Sequence, residues 1–427
     1  MVGDHIYDRF AEDALAEALS DAPVILIHGP RQCGKTTLAH IAGARRDYTY
    51  FTFDDPAVMA SAISDIGSFV AALPPRVILD EVQRVPDLFT VIKAVVDRDR
   101  SPGRFLLTGS ANIFLVPRLG DSLAGRMNIL RLAPLAQCEL AGRRPTFIDQ
   151  LFGDGFPVAK FRRLDADLIQ RVVAGGFPAA LARKTPARRA AWYRDYVDTL
   201  VQRDVRDLAR IRSLEAVPKL LAAAAAQTAQ LFNASELAGP FQLSRPTIAD
   251  YLALLERVFL IDRLLPWHSN RLSRLIKTPK LHLVDTGVAC ALLGLNVAAL
   301  HANRVALGPL VETFVYQELR RQTTWRDDGV VFSHFRDKDG VEVDMVLERG
   351  SSAVAGVEVK AGASVTDADF RGLRKLRSAA GKHFKGGVVL YDGEASIPFG
   401  DRLFAVPIRA MWEGVKAKKP SRVAKKR

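Results

Sequence analysis

Apolar residues in the first third of the chain fall into short blocks, each closed by polar residues, with longer helical stretches between them. The pattern predicts strands over Val24–His28, Tyr48–Phe53, Arg76–Leu79 and Arg104–Leu107. The second block ends in Asp54-Asp55, the third runs into Asp80-Glu81, and the fourth into Thr108-Gly109-Ser110. Helical spacing is predicted over Lys35–Ala44, Pro56–Ala72 and Leu88–Asp97. Strands alternating with helices at this spacing predict an α/β domain with an open, mostly parallel sheet covered on both faces. Ligands of such sheets sit at the carboxyl ends of the strands.

Further along, the pattern changes. From about Phe147 to Arg212 it is helical, with Trp192, Tyr196, Thr199, Leu200 and Arg203 recurring at three- and four-residue steps. Ser235–Ala238 reads as a short helix, and 239–243 as a turn. Ser244 then caps a second helix with Pro246 in its first turn and one apolar face of Ile248, Tyr251, Leu252, Leu255 and Val258. Strand-like runs follow at Phe259–Leu265 and Lys280–Val284, joined by a segment carrying Arg271, Arg274 and Lys277. After residue 300 come a helical run around Glu312 and two alternating runs, Val341–Leu347 and Val357–Lys360. Period-two alternation puts Glu342 with Asp344 on one strand face, and Glu358 with Lys360 on one face of the next.

Candidate chemistry begins between the first strand and the first helix. Gly29-Pro30-Arg31-Gln32-Cys33-Gly34-Lys35-Thr36 fits the nucleotide-binding pattern G-x-x-x-x-G-K-[ST] in its strand-then-helix setting. The glycines let backbone amides turn toward phosphate oxygens, and the helix start adds unpaired donors. Residues Gly29 to Thr37 are therefore the candidate ATP cradle. Lys35 would reach the outer phosphates, and Thr36 would give an oxygen to Mg²⁺. A buried apolar strand ending in two carboxylates is costly unless they are used. Asp80 suits the Mg²⁺ shell, and Glu81 suits a base for water attack. Ser110, or Asn112, is the candidate γ-phosphate sensor. In the C-terminal part, Glu312, Asp344 and Glu358 make an oxygen-rich set for a divalent metal, with Lys360 beside it to position water.

Composition adds two constraints. The 427-residue chain carries a net charge of +13, and residues 1–135 hold 14 basic against 16 acidic side chains while the remainder holds 46 against 31. The positive balance lies outside the first domain and points to a polyanion, DNA in the first instance. The last twelve residues carry seven basic and no acidic side chains. No run is long and apolar enough for a membrane span. Cys33, Cys138 and Cys290 match neither a metal spacing nor a disulfide framework, and a cytoplasmic setting is expected.

On Gly29–Thr37, Leu79-Asp80-Glu81 and Thr108-Gly109-Ser110, the first third resembles the AAA-type branch of P-loop ATPases. That resemblance implies oligomers whose site is completed by a neighbour's arginine, with Arg126 the first candidate and Arg118 the second. Ser110 departs from the Asn that many such proteins carry. Residues 230–285 resemble a winged helix-turn-helix, which would give Arg245, Thr247 and the hairpin basics a DNA-facing role. The order helix Glu, strand Asp, then E-x-K resembles the PD-(D/E)XK nuclease superfamily. Taken whole, the chain resembles a prokaryotic family with an AAA-type ATPase domain followed by a domain of unknown function bearing nuclease-like motifs.

The expected organisation is an ATPase domain over 1–135, a helical lid or linker over 136–229, a winged helix-turn-helix over 230–285, an α/β nuclease-like domain over 286–410 and a basic tail over 411–427. The expected activity is Mg²⁺-dependent ATP hydrolysis controlling a DNA-binding, DNA-cutting C-terminal half, in a homo-oligomer or with a protein partner. The alternative is a nucleotide-gated DNA-binding regulator with an inactive nuclease-like scaffold.

Overall fold

The computed structural model describes residues 6–110, 125–205, 215–233, 241–268 and 278–414. Asn112, Arg118, the short helix at Ser235–Ala238, the hairpin basics Arg271, Arg274 and Lys277, and residues 415–427 of the tail lie outside them.

The first sheet contains β1 (Val24–His28), β2 (Thr49–Thr52), β3 (Val77–Asp80), β4 (Phe105–Gly109) and β5 (Met127–Arg131). All pairs are parallel, in the order β2-β3-β4-β1-β5. The central strand β1 is buried along its whole length. Val24 and Leu26 join one core with Val77, Leu79, Phe89 and Phe105, whereas Ile25 and Ile27 join another with Leu15, Leu38 and Leu106. A strand buried on both faces must read as a continuous apolar run, and this one does. Helix α1 (Ala11–Asp21) and helix α2 (Lys35–Ala44) cover one face, and α3 (Leu88–Arg98) the other. The helix expected over Pro56–Ala72 is two helices, Pro56–Ser64 and Ile66–Ala71. Asp65 has extended backbone and caps the second by accepting from Ser68 N–H, which breaks the run.

The middle of the chain is mainly helical, including α4 (Pro186–Thr199). It also gives up β6 (Ala159–Lys160), which pairs with a strand more than 230 residues later. Two residues are too few to carry a readable period. A three-stranded antiparallel sheet follows, built from β7 (Gln230–Leu231), β8 (Ile261–Leu264) and β9 (Lys280–Leu283) in the order β7-β9-β8. Helices α5 (Ala216–Ala226) and α6 (Arg245–Arg257) pack on it.

The last part holds α7 (Arg304–Thr323) and a seven-stranded mixed sheet. Its strands are β10 (Val330–Arg336), β11 (Glu342–Arg349), β12 (Ala353–Lys360), β13 (Phe384–Tyr391), β14 (Ala395–Pro398) and β15 (Leu403–Pro407), with β6 at the far edge. Strands β10, β11 and β12 form an antiparallel meander, and β12, β13 and β15 run parallel. A bridge from Pro266 to His334 joins the end of the small sheet to the β10 edge of the large one. No helix among the described residues is long and apolar enough to cross a membrane.

Candidate functional site

Residues 29–34 link β1 to α2. Gly29 approaches the backbone so closely that a Cβ there would lie 2.0 Å from the Leu132 carbonyl oxygen. Gly34, at a φ of +101°, sits in the left-handed region that favours glycine and starts α2. Lys35 is buried, and its Nζ donates to the carbonyls of Gly29 (3.0 Å) and Pro30 (2.8 Å). The ammonium therefore lies inside the curl of the loop, where backbone amides and a positive charge converge on the start of α2.

The end of β3 brings in the acids. Asp80 is buried and accepts from Thr36 Oγ1 at 3.2 and 3.1 Å and from the Tyr50 hydroxyl at 2.8 Å. The Thr108 hydroxyl donates to it as well. Burial, reinforced by the bond to Asp80, pushes the Tyr50 hydroxyl up to about 12, so it stays a donor. Thr36 and Asp80 thus form an all-oxygen pair of the kind a hard cation takes, and the residues fit Mg²⁺.

Glu81 has a φ of +59°, a costly backbone state for a side-chain-bearing residue that recurs at functional sites. Its carboxylate accepts from Ser110 Oγ at 2.9 Å and from the Gln83 amide. Gln83 also donates to Ser110 Oγ (2.9 Å) and accepts from Ser110 N–H (3.2 Å). The ends of β1, β3 and β4 therefore bring Lys35, Thr36, Asp80, Glu81 and Ser110 together. Sequence reasoning missed Tyr50, Gln83 and Thr108. Thr108 was visible as the polar residue closing an apolar strand, but nothing marked the other two.

It also missed Arg9, which precedes α1. The Arg9 guanidinium donates to the carbonyls of Cys33 and Ala133, both at 2.7 Å, and pairs with buried Glu139 at 2.9 Å. Arg126 is not in the group. It lies just before Met127, which aligns with Val24 at the amino-terminal edge of the sheet, opposite the strand ends that carry the site. There it pairs with Asp97 at 2.5 Å.

A polar joint lies beside the loop. Arg131, the last residue of β5, pairs with Asp262 of β8 at 3.4 Å, and Arg320 of α7 pairs with the same carboxylate at 2.8 Å. Gln317 donates to its other oxygen at 3.1 Å. Burial would raise the Asp262 pKa, but Arg320 and Arg131 outweigh it and hold the group below its usual value. Phe259, with a φ of +57°, packs its ring 5.7 Å from that of His28, the residue before Gly29. Burial, then the charges of Arg131 and Lys35, lower His28 to about 3. On the other side, the Tyr196 hydroxyl of α4 donates to the Arg31 carbonyl at 3.3 Å.

A second polar cluster lies between α7, β11 and β12. It contains Glu312, Asp344, Glu358 and Lys360, with Lys360 Nζ 2.9 Å from Glu358. It also contains a residue the sequence did not suggest. Lys280 of β9 pairs with Glu312 at 2.9 Å and with Asp344 at 3.2 Å. Its side chain is only 4% exposed.

Comparison with known proteins divides the chain along these lines. Residues 21–141 match the family described as AAA domain. The chain therefore carries an AAA-type P-loop ATPase domain. Residues 165–299 match a domain of unknown function, DUF8612, and residues 307–411 match another, DUF4143. The uncharacterized protein Rv2008c of Mycobacterium tuberculosis is 29% identical over 400 residues, covering 93% of this chain and 83% of its own, and Mb2031c of Mycobacterium bovis matches to the same extent. Among solved structures, the Walker-type ATPase PABY2304 of Pyrococcus abyssi is 18% identical, over 67% of this chain and 96% of that one, with a TM-score of 0.42. The Thermotoga maritima RuvB Holliday junction branch migration motor is 19% identical, over 59% of this chain and 88% of that one, with a TM-score of 0.29.

Proposed function

We propose that this protein is a Mg²⁺-dependent ATPase whose nucleotide state is passed to a nucleic-acid-binding module formed by residues 215–285. The observation that carries the first half is the meeting of Lys35, Thr36, Asp80, Glu81 and Ser110 at three adjacent strand ends. ATP would lay its phosphates along the amides of residues 29–36, and Lys35 would exchange its two loop carbonyls for phosphate oxygens. Thr36 and Asp80 would hold Mg²⁺, which when bound offsets negative charge on the outer phosphates. Glu81 accepts a proton from the attacking water. The water oxygen bonds to the γ-phosphorus as the bond to the bridging oxygen breaks, and ADP carries that electron pair away. Ser110 and Gln83 act as positioning residues that hold the Glu81 carboxylate.

Two features support the second half. Helix α5, β7, helix α6, β8 and β9, with strand order β7-β9-β8, agree with a winged helix-turn-helix in which α6 is the reading helix. Ser244 caps that helix, and Arg245 at its start is exposed. The Asp262–Arg131 pair and the Phe259–His28 contact connect this module to the end of β1 and the end of β5, directly beside the phosphate loop. The C-terminal domain takes no part in cleavage.

The test is binding of a fluorescent DNA duplex at several salt concentrations, without nucleotide, with ADP and with a non-hydrolysable ATP analogue. Salt-sensitive binding that changes with nucleotide is expected. No binding at low salt, or equal binding in all three states, refutes the coupling.

A further inference from the structure

The nuclease-like cluster already holds a cation, and it is part of the chain. A divalent metal shared by Glu312 and Asp344 would need the position between their carboxylates. The Lys280 ammonium occupies it, 2.9 Å from Glu312 Oε1 and 3.2 Å from Asp344 Oδ1. The second oxygen of Asp344 accepts from Val359 N–H at 2.9 Å, and Glu358 Oε1 accepts from Lys360. Glu358 Oε2 is the buried oxygen left over. Mg²⁺ demands near-octahedral oxygen coordination and dehydrates reluctantly, so carboxylates already engaged by Lys280, Lys360 and Val359 N–H make a poor site. Among the described residues, no group of three or more His, Cys, Asp or Glu side chains is placed to hold a metal ion. The residues do not fit the metal that the nuclease resemblance implies.

Electrostatics agree with the geometry. Buried Lys280 faces Glu312 and Asp344, while the more exposed Lys360 faces Glu358 and, at 3.8 Å, Asp369. Burial alone would lower the Lys280 pKa, but Asp344 and Glu312 overcome it and raise it above the ordinary lysine value. Burial, then Asp344, raises Glu312 and Glu358. Lys280 thus offsets the charge of Glu312 and Asp344 with no ion from solution.

Lys280 belongs to β9, within the segment 165–299, whereas Glu312, Asp344 and Glu358 belong to the segment 307–411. The charge that fills the cluster is therefore supplied by the preceding domain. We propose that the Lys280 ammonium is the resident cation of the Glu312–Asp344–Glu358 cluster, so that this cluster clasps the C-terminal domain to the three-stranded module and is closed to divalent metal. A buried ion pair that loses one partner is strongly destabilised, which makes such a clasp selective for the docked arrangement.

Electron paramagnetic resonance of added Mn²⁺ tests this without nucleotide, so the outcome does not depend on the ATPase reading. The full-length wild-type chain is expected to take up no Mn²⁺ that depends on Asp344. Lys280→Ala is expected to gain one Mn²⁺ per chain, and Lys280→Ala with Asp344→Asn to lose it again. One Mn²⁺ bound by the wild type and lost in Asp344→Asn overturns the proposal, as does a folded Lys280→Ala with no gained site. Should Lys280→Ala fail to fold, amine footprinting of the wild type decides. Lys280 is expected to stay unlabelled with and without millimolar Mn²⁺, and labelling that appears only with Mn²⁺ overturns the proposal.

Discussion

Thr36 Oγ1 lies within 3.2 Å of both carboxylate oxygens of Asp80. The helix that starts at the phosphate loop and the strand that ends in the acids are thus linked through the two groups that suit a cation. The Tyr50 hydroxyl supports the same carboxylate from β2 at 2.8 Å. Tyr50→Phe should leave the fold intact, cost about 1 kcal/mol of stability and weaken Mg²⁺-ATP affinity more than Mg²⁺-free affinity. Fluorescent-nucleotide titrations with and without Mg²⁺ check it, and equal weakening in both would remove Asp80 from the cation's surroundings.

Lys35→Ala should lower ATP turnover by roughly 10²-fold or more, because a buried charge aimed at the phosphates is lost. Phosphate release at saturating ATP measures this. Turnover at the wild-type rate would end the phosphate-loop assignment.

His28 makes stability fall in mild acid. Its folded pKa is lowered to about 3 from an ordinary value of 6.5. The unfolded chain therefore binds the extra proton first as pH falls. The contribution is fully present above pH 6.5 and is lost progressively as pH drops toward 3, by about 2 kcal/mol between pH 7 and 5. Urea unfolding of wild type and His28→Gln at both pH values should show the difference between them shrinking by about that amount at pH 5. A pH-independent difference would show that His28 does not carry it.

Asp262→Ala leaves Arg131 and Arg320 facing one another in a buried joint. A loss of about 3–5 kcal/mol is expected, read as a lower urea midpoint. Asp262→Asn should lose less, and should still blunt any effect of nucleotide on DNA affinity. Unchanged stability in Asp262→Ala would mean that the joint is not closed in solution.

Much of the first domain was legible because β1, β3 and β4 are buried along their whole length. Val24–His28 and Lys35–Ala44 fall where the apolar run and the Gly-Lys-Thr motif predict them. Strand β5 was not, since Met127-Asn128-Ile129-Leu130-Arg131 lies at the sheet edge and only Leu130 is fully buried. The candidate site residues at the strand ends were readable because their spacing is local. Arg9, Tyr50 and Gln83 were not, because their roles arise from contacts the fold makes at a distance. Lys280 is the clearest case. It reads as one basic residue in a basic hairpin, and only the docking of β9 against α7 and β11 gives it two carboxylate partners.

Helix α7 carries both ends of this arrangement. Glu312 receives Lys280, and eight residues on, Arg320 receives Asp262 beside the phosphate loop. Pro309, where an interior helix would bend, comes before both. The stretch between them is therefore an unbroken rod of about 12 Å. A shift of Arg320 at one end of this rod would carry Glu312 at the other with it, since Pro309 lies outside the stretch between them.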